Sequence, residues 1–120
     1  MTLSHCWGNP PSVFKLKTTN LASLLKQIPP LSKTFEDAIV CTRAVGARYL
    51  WIDCLCILQD DVRDWERESA LMASVYHNAL CNLAATASSD SNGGFFRDRS
   101  EIRSGINVLV LGPNSFLIKE

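Results

Sequence analysis

The stretch from Arg48 to Glu68, RYLWIDCLCILQDDVRDWERE, constrains the fold more than any other part of the chain. Tyr49 to Leu58 holds aromatic, aliphatic and thiol residues with a single charge, Asp53. Such a run, bounded by Arg48 and by Gln59-Asp60-Asp61, predicts a central strand buried on both faces. Leu50, Ile52, Cys54 and Cys56 would face one side, and Trp51, Leu55 and Ile57 the other. A lone carboxylate inside that strand is costly, so Asp53 calls for a hydrogen-bond donor or a cation. In open α/β sheets, ligands gather where strand ends meet helix starts. The acidic corner after Leu58 is therefore the first place to look for chemistry.

The rest of the pattern alternates strands with helices. Leu3 to Trp7 reads as a short strand ended by Gly8-Asn9-Pro10-Pro11. Thr18-Thr19-Asn20 can cap a short helix through Gln27, which Pro29-Pro30 ends. A second helix begins near Ser32 or Thr34, with Thr34 and Asp37 as a capping pair. Its inward stripe is Phe35, Ala38, Ile39 and Thr42, and Gly46 stops it. Strand, helix and strand in this order predict a parallel pair joined by a right-handed crossover. A third helix spans about Val62 to Asn78, with Trp65, Ser69, Met72, Val75, Tyr76 and Ala79 on one face and Glu68 inside that arc. Cys81 to Ala85 reads as a third buried strand. Asn107–Leu111 and Ser115–Ile118 flank Gly112-Pro113-Asn114 as a hairpin. The fold class is α/β: a small parallel sheet with helices on both faces, plus a C-terminal β-hairpin.

Chain length allows one domain. Twelve basic and twelve acidic residues cancel, which argues against a nucleic-acid or anionic-membrane surface. No apolar run reaches the length of a membrane span. The five cysteines lack the spacing of a secreted disulfide framework, so a reducing, cytoplasmic setting is expected. Cys54 and Cys56 have one residue between them where zinc sites use two or more, and His5 and His77 are distant in sequence, so no metal is expected.

Three groups are candidates for chemistry. Glu68, a carboxylate on the apolar side of a helix, would be either a proton-active group or the structural partner of Arg48 or Arg43. Asp53, Asp60 and Asp61 could hold a divalent ion or a ribose hydroxyl pair, although Asp60 or Asp61 is also a natural helix N-cap. Ser4, Trp7 and Gly8 end the first strand and would face the same cleft, with Trp7 offering a ring for a planar ligand. There is no G-x-S-x-G elbow and no phosphate loop.

Several blocks together resemble the fungal heterokaryon-incompatibility (HET) domain. They are Leu3-Ser4-His5-Cys6-Trp7-Gly8, Ser32 to Ile39, Leu50 to Ile57 and Gln59-Asp60-Asp61. Glu68-Ser69, Met72, Val75-Tyr76, Asn78-Ala79, Ala84-Ala85 and Gly94-Phe95-Phe96 with Arg99 follow in the same order. His5 stands where the family usually has an aromatic, and Ser32 where it usually has proline. The resemblance implies a HET domain over residues 1–100, shortened at its N-terminus, and a further segment or hairpin over 101–120. It also implies an effector of non-self recognition that leads to programmed cell death. HET domains resemble the Toll/interleukin-receptor (TIR) fold, in which some members cleave NAD with a helical glutamate. Trp65 followed by Glu68 is similar to that glutamate's neighbourhood. The resemblance therefore leaves two mechanisms: an enzyme acting on NAD through Glu68, or an adaptor that works by self-association and protein partners.

Overall fold

The strand nearest the N-terminus, not the long apolar run, is the centre of the sheet. The computed structural model describes residues 1–9, 13–86 and 88–96, with the backbone of two further strands at 108–110 and 116–118. Strands β1 (Thr2–Ser4), β2 (Trp51–Ile52) and β3 (Asn82–Ala84) are parallel in the order β2-β1-β3. Thr2 lies opposite Trp51 and Asn82, and Leu3 opposite Ile52 and Leu83. Paired residues in a parallel sheet point to the same side. One face therefore carries Leu3, Ile52 and Leu83, and the other carries Thr2, Ser4, Trp51 and Asn82.

Each face has its own helix. Helix α2 (Lys33–Ala44) sets Phe35 and Ala38 against Leu3, Ile52 and Cys54, all buried, to make the core. Helix α4 (Val62–His77) covers the other face. Its Tyr76 hydroxyl donates to the Leu3 carbonyl at 3.1 Å, and its ring meets Trp51 edge-on at 5.6 Å. The crossover from β1 to β2 uses α2; the return from β2 past β1 to β3 uses α4. Because the two crossovers run in opposite directions, both can be right-handed only if their helices lie on opposite faces. The expected α/β architecture, a small parallel sheet with helices on both faces, is the one observed.

The expected strand from Tyr49 to Leu58 is corrected. Only Trp51–Ile52 is strand, at an edge of the three-stranded sheet, and Tyr49 is 76% exposed. Asp53–Cys56 forms one helical turn, α3, after which Ile57 is extended again. Asp53 is the physical reason. Its Oδ1 accepts from the Cys54 backbone N–H at 2.6 Å, so the carboxylate is engaged at the first residue of a turn instead of lying inside a strand. The turn breaks the alternation: Cys54 is buried and Cys56 exposed. The segment from Val13 to Lys17 runs beside this turn, with Leu16 N donating to the Cys54 carbonyl and Gln59 N to the Leu16 carbonyl. Cys81 to Ala85 is likewise not a buried strand. β3 is an edge, with Asn82 and Ala84 exposed.

Thr34 and Asp37 were expected to cap α2; they hold a distant segment instead. Thr34 Oγ1 accepts from Gly94 N at 3.0 Å, and Asp37 Oδ2 from Phe95 N at 2.8 Å. Lys33 completes the Asp37 site at 2.9 Å. Desolvation pushes the Asp37 carboxyl up, but the Lys33 ammonium and the Phe95 and Phe96 amides outweigh it and hold the group below the usual carboxylate range. Helix α1 is a single turn, Leu21–Leu24. Strands β4 (Val108–Val110) and β5 (Phe116–Ile118) pair antiparallel, as the hairpin pattern predicted; the expected turn at 112–114 lies outside the described residues. Among the described residues, no helix is long and apolar enough to cross a membrane.

Candidate functional site

β1 and β2 are parallel and end on the same edge, so the residues that follow them meet. Asp53 finds its partners there. Trp7 Nε1 donates to Asp53 Oδ2 at 3.2 Å, and the Cys54 amide takes Oδ1. The donor that a carboxylate in this apolar run requires is thus an indole and a backbone amide. His5 Nδ1 stands 3.9 Å from Asp53 Oδ1, and the His5 side chain is only 1% exposed. Its ring meets Phe35 edge-on, with centroids 4.9 Å apart. Burial lowers the His5 pKa and Asp53 opposes the shift, leaving the imidazole below its ordinary value. Burial first, and Asp53 second, push the Cys54 thiol up to about 12. The Lys15 ammonium lies over the Trp7 ring, 4.6 Å from its centroid. Gly8 turns the chain away after Trp7 with a φ of +82°. Asp53, Trp7 and Gly8 therefore share one corner, and His5 and Cys54, which were not singled out as site residues, join them.

The other expected site residues lie elsewhere. Ser4 is on the α4 face, where its hydroxyl is 3.3 Å from Asn82 Oδ1 and 3.4 Å from the Tyr76 hydroxyl. Asp60 accepts from the Thr18 N–H at 2.9 Å and from the Thr18 hydroxyl at 2.8 Å. Those bonds lower its pKa and tie the Thr18 turn to the lead-in of α4. Asp61 caps α4, accepting from Arg63 N and Asp64 N. Asp64 accepts from Leu58 N at 2.9 Å and pairs with Arg67. The acidic corner is thus largely helix-start architecture.

Glu68 does lie on the half-covered side of α4, its side chain 25% exposed. Its partner is Arg67, whose Nε donates to Oε1 at 3.1 Å. Arg43 and Arg48, the partners considered from sequence, line a cavity of about 380 Å³ with Ile28, Leu31, Ile52 and Leu55. A second cavity, about 200 Å³, lies beside it under Leu16, Leu21 and Leu24 and shares Ile28, Leu31 and Leu55. Neither of these cavities is lined by Glu68 or Asp53. Both carboxylates lie close enough to Cys56 to act on its thiol. Although Cys56 keeps an accessible surface, desolvation raises its thiol, a backbone bond to Ile52 opposes this, and the charges of Asp53 and Glu68 add to the rise.

Comparison with known proteins gives one finding. No curated protein and no solved structure matches the chain. The family described as "Heterokaryon incompatibility protein (HET)" matches residues 1–107. That span takes in β1, the Trp7–Asp53 corner, both covering helices and β3. With most of its length matched in this way, the chain belongs to the heterokaryon incompatibility protein family.

Proposed function

We propose that this protein is an effector of fungal non-self recognition that triggers programmed cell death, and that it acts through protein contacts, by self-association or partner recruitment. Family membership supports the part in heterokaryon incompatibility. The engagement of its carboxylates carries the choice of mechanism. Glu68 is bonded to Arg67 at 3.1 Å, while Asp53 is bonded to Trp7 at 3.2 Å. Neither group is presented, alone or jointly, to the cavities beside α2. The surface also displays large apolar side chains suited to contact, among them Trp65 on α4 and Leu25, Ile28 and Tyr49 nearer the cavities.

One observation favours the second reading, hydrolysis of NAD with Glu68 as the catalytic group. Glu68 lies on the covered side of α4 and keeps a quarter of its side chain accessible. A single substitution separates the two. The parent and Glu68→Gln are expressed in hyphae or yeast, and nicotinamide release from NAD is followed on concentrated purified protein. Contact-driven killing predicts that Glu68→Gln kills like the parent and that neither protein releases nicotinamide. A folded Glu68→Gln protein that loses both killing and release would establish the enzymatic reading. A parent that never kills would sink the effector role itself.

A further inference from the structure

Three side chains of different ligand chemistry meet at the carboxyl ends of β1 and β2. A ring nitrogen of His5, a carboxylate oxygen of Asp53 and Cys54 Sγ all lie within 4.8 Å of one another. The set is built into the core edge rather than scattered on the surface, since Cys54 is fully buried and the His5 side chain nearly so. It is also incomplete as a set of hydrogen bonds. His5 Nε2 is buried with no partner among the described residues, and Nδ1 is too far from Asp53 Oδ1 to bond to it. A buried ring nitrogen left unpaired is unfavourable, and native structures rarely keep one without a use.

We propose that His5, Asp53 and Cys54 form a zinc site that ties the end of β1 to the start of α3. One nitrogen, one oxygen and one sulfur ligand match the preference of Zn²⁺. A tetrahedral ion with bonds of about 2.0–2.3 Å holds its ligand atoms about 3.5 Å apart. Closing the present spacing therefore takes side-chain shifts on the order of 1 Å, within reach of the His5 and Cys54 torsions. Three protein ligands leave a fourth position for water. The Cys54 thiol gives its proton to solvent on binding, and the ion's charge of two then balances one thiolate and one carboxylate. Trp7 and the Cys54 amide supply the outer support that such sites use: the indole N–H holds Asp53 Oδ2, and the amide holds Oδ1 on the His5 side, where its second lone pair can meet the ion.

The competing account is that His5 only packs its ring on Phe35. His5→Phe separates the two, because it keeps an aromatic ring there and removes the ligand. The 120-residue chain, stripped with chelator, is titrated with Zn²⁺ by calorimetry and with Co²⁺ by absorption. The site predicts one ion per chain and a thiolate-to-cobalt absorption band. Cys54→Ser removes the band and Cys56→Ser leaves it. His5→Phe weakens zinc at least about tenfold with its metal-free fold intact by circular dichroism, and Trp7→Phe weakens it by about 10–100-fold. Absence of stoichiometric zinc in the parent would overturn the site, as would His5→Phe binding as tightly as the parent or a band that depends on Cys56. If Cys54→Ser does not fold, the His5→Phe titration decides alone.

Discussion

Gly46 and Gly94 share a backbone conformation but not their surroundings, and replacing each with alanine separates strain from crowding. Their φ values are +74° and +71°. The left-handed conformation costs a side chain about 1–2 kcal/mol. Alanine returns about 0.4–1 kcal/mol of that by restricting the unfolded chain. Both terms are common to the two sites. A Cβ on Gly46 meets nothing within 4 Å, so Gly46→Ala is expected to destabilise by about 1 kcal/mol. A Cβ on Gly94 would overlap Asp37 Oδ2 and lie 2.9 Å from Lys33 Nζ. Asp37 would have to leave the Phe95 N–H that it accepts at 2.8 Å. A hydrogen bond to a charged group contributes about 1.5–3 kcal/mol, which puts Gly94→Ala at about 2.5–4 kcal/mol. Urea unfolding followed by tryptophan fluorescence gives both values, and an unchanged slope assigns the difference to the folded state. Two variants of equal stability would refute the role given to Asp37. A Gly94→Ala, Asp37→Ala double variant that costs the full sum of its singles would refute it as well.

Further outcomes follow from the same packing. The folded-state pKa of Asp37 lies below its unfolded value, so the stability it contributes is present above about pH 4 and is lost as pH falls through the lower folded value. Asp37→Asn should therefore lower the urea midpoint near neutrality and leave a flatter acid limb than the parent's. Tyr76→Phe removes the hydroxyl that donates to Leu3, and should cost about 1 kcal/mol in the same assay. In metal-free native protein, maleimide mapping should find Cys6 and Cys81 modified first, Cys56 more slowly because its thiol is raised, and Cys54 only on unfolding. Phe35→Ala empties a fully buried position and should cost about 3–5 kcal/mol, enough to leave little soluble protein.

Helices α2 and α4 were legible because their signals are local. The stripe Phe35, Ala38 and Thr42 with Gly46 behind it fixed α2 almost to its ends. The α4 arc is half-buried at Ser69, Met72, Val75 and Tyr76, and only Trp65, at 52% exposed, departs from it. The apolar run at Tyr49–Leu58 misled because hydrophobicity alone cannot distinguish a buried strand from a buried turn. Asp53 was the signal against a strand: a short acidic side chain can bond the amide that follows it, and here it does so and starts α3. Sheet order was the least legible feature. Placing β1 in the middle requires knowing on which side β3 joins, and no local pattern records that.

The candidate site was half-legible for a related reason. Sequence pattern predicted that β1 and β2 run parallel with their carboxyl ends at one edge, but by running the second strand to Leu58 it aimed Trp7 at the acidic corner rather than at Asp53, where β2 in fact ends. It did not give the register. The pairing of Thr2 with Trp51 and Leu3 with Ile52 ends where β2 ends, and the turn at Asp53–Cys56 that follows is what brings Asp53 and Cys54 beside His5. Alternation then sends Ser4 to the α4 face, where it meets Tyr76 and Asn82, and sends His5 to the α2 face, where it meets Phe35. A slip of one residue would exchange those faces, placing Ser4 near the thiol and leaving the imidazole against α4. Distance in sequence was therefore the wrong ground for setting His5 apart from the cysteines. In a parallel sheet, pairing brings together residues some fifty positions apart, and here the segments that leave the paired strands carry His5 to Asp53 and Cys54.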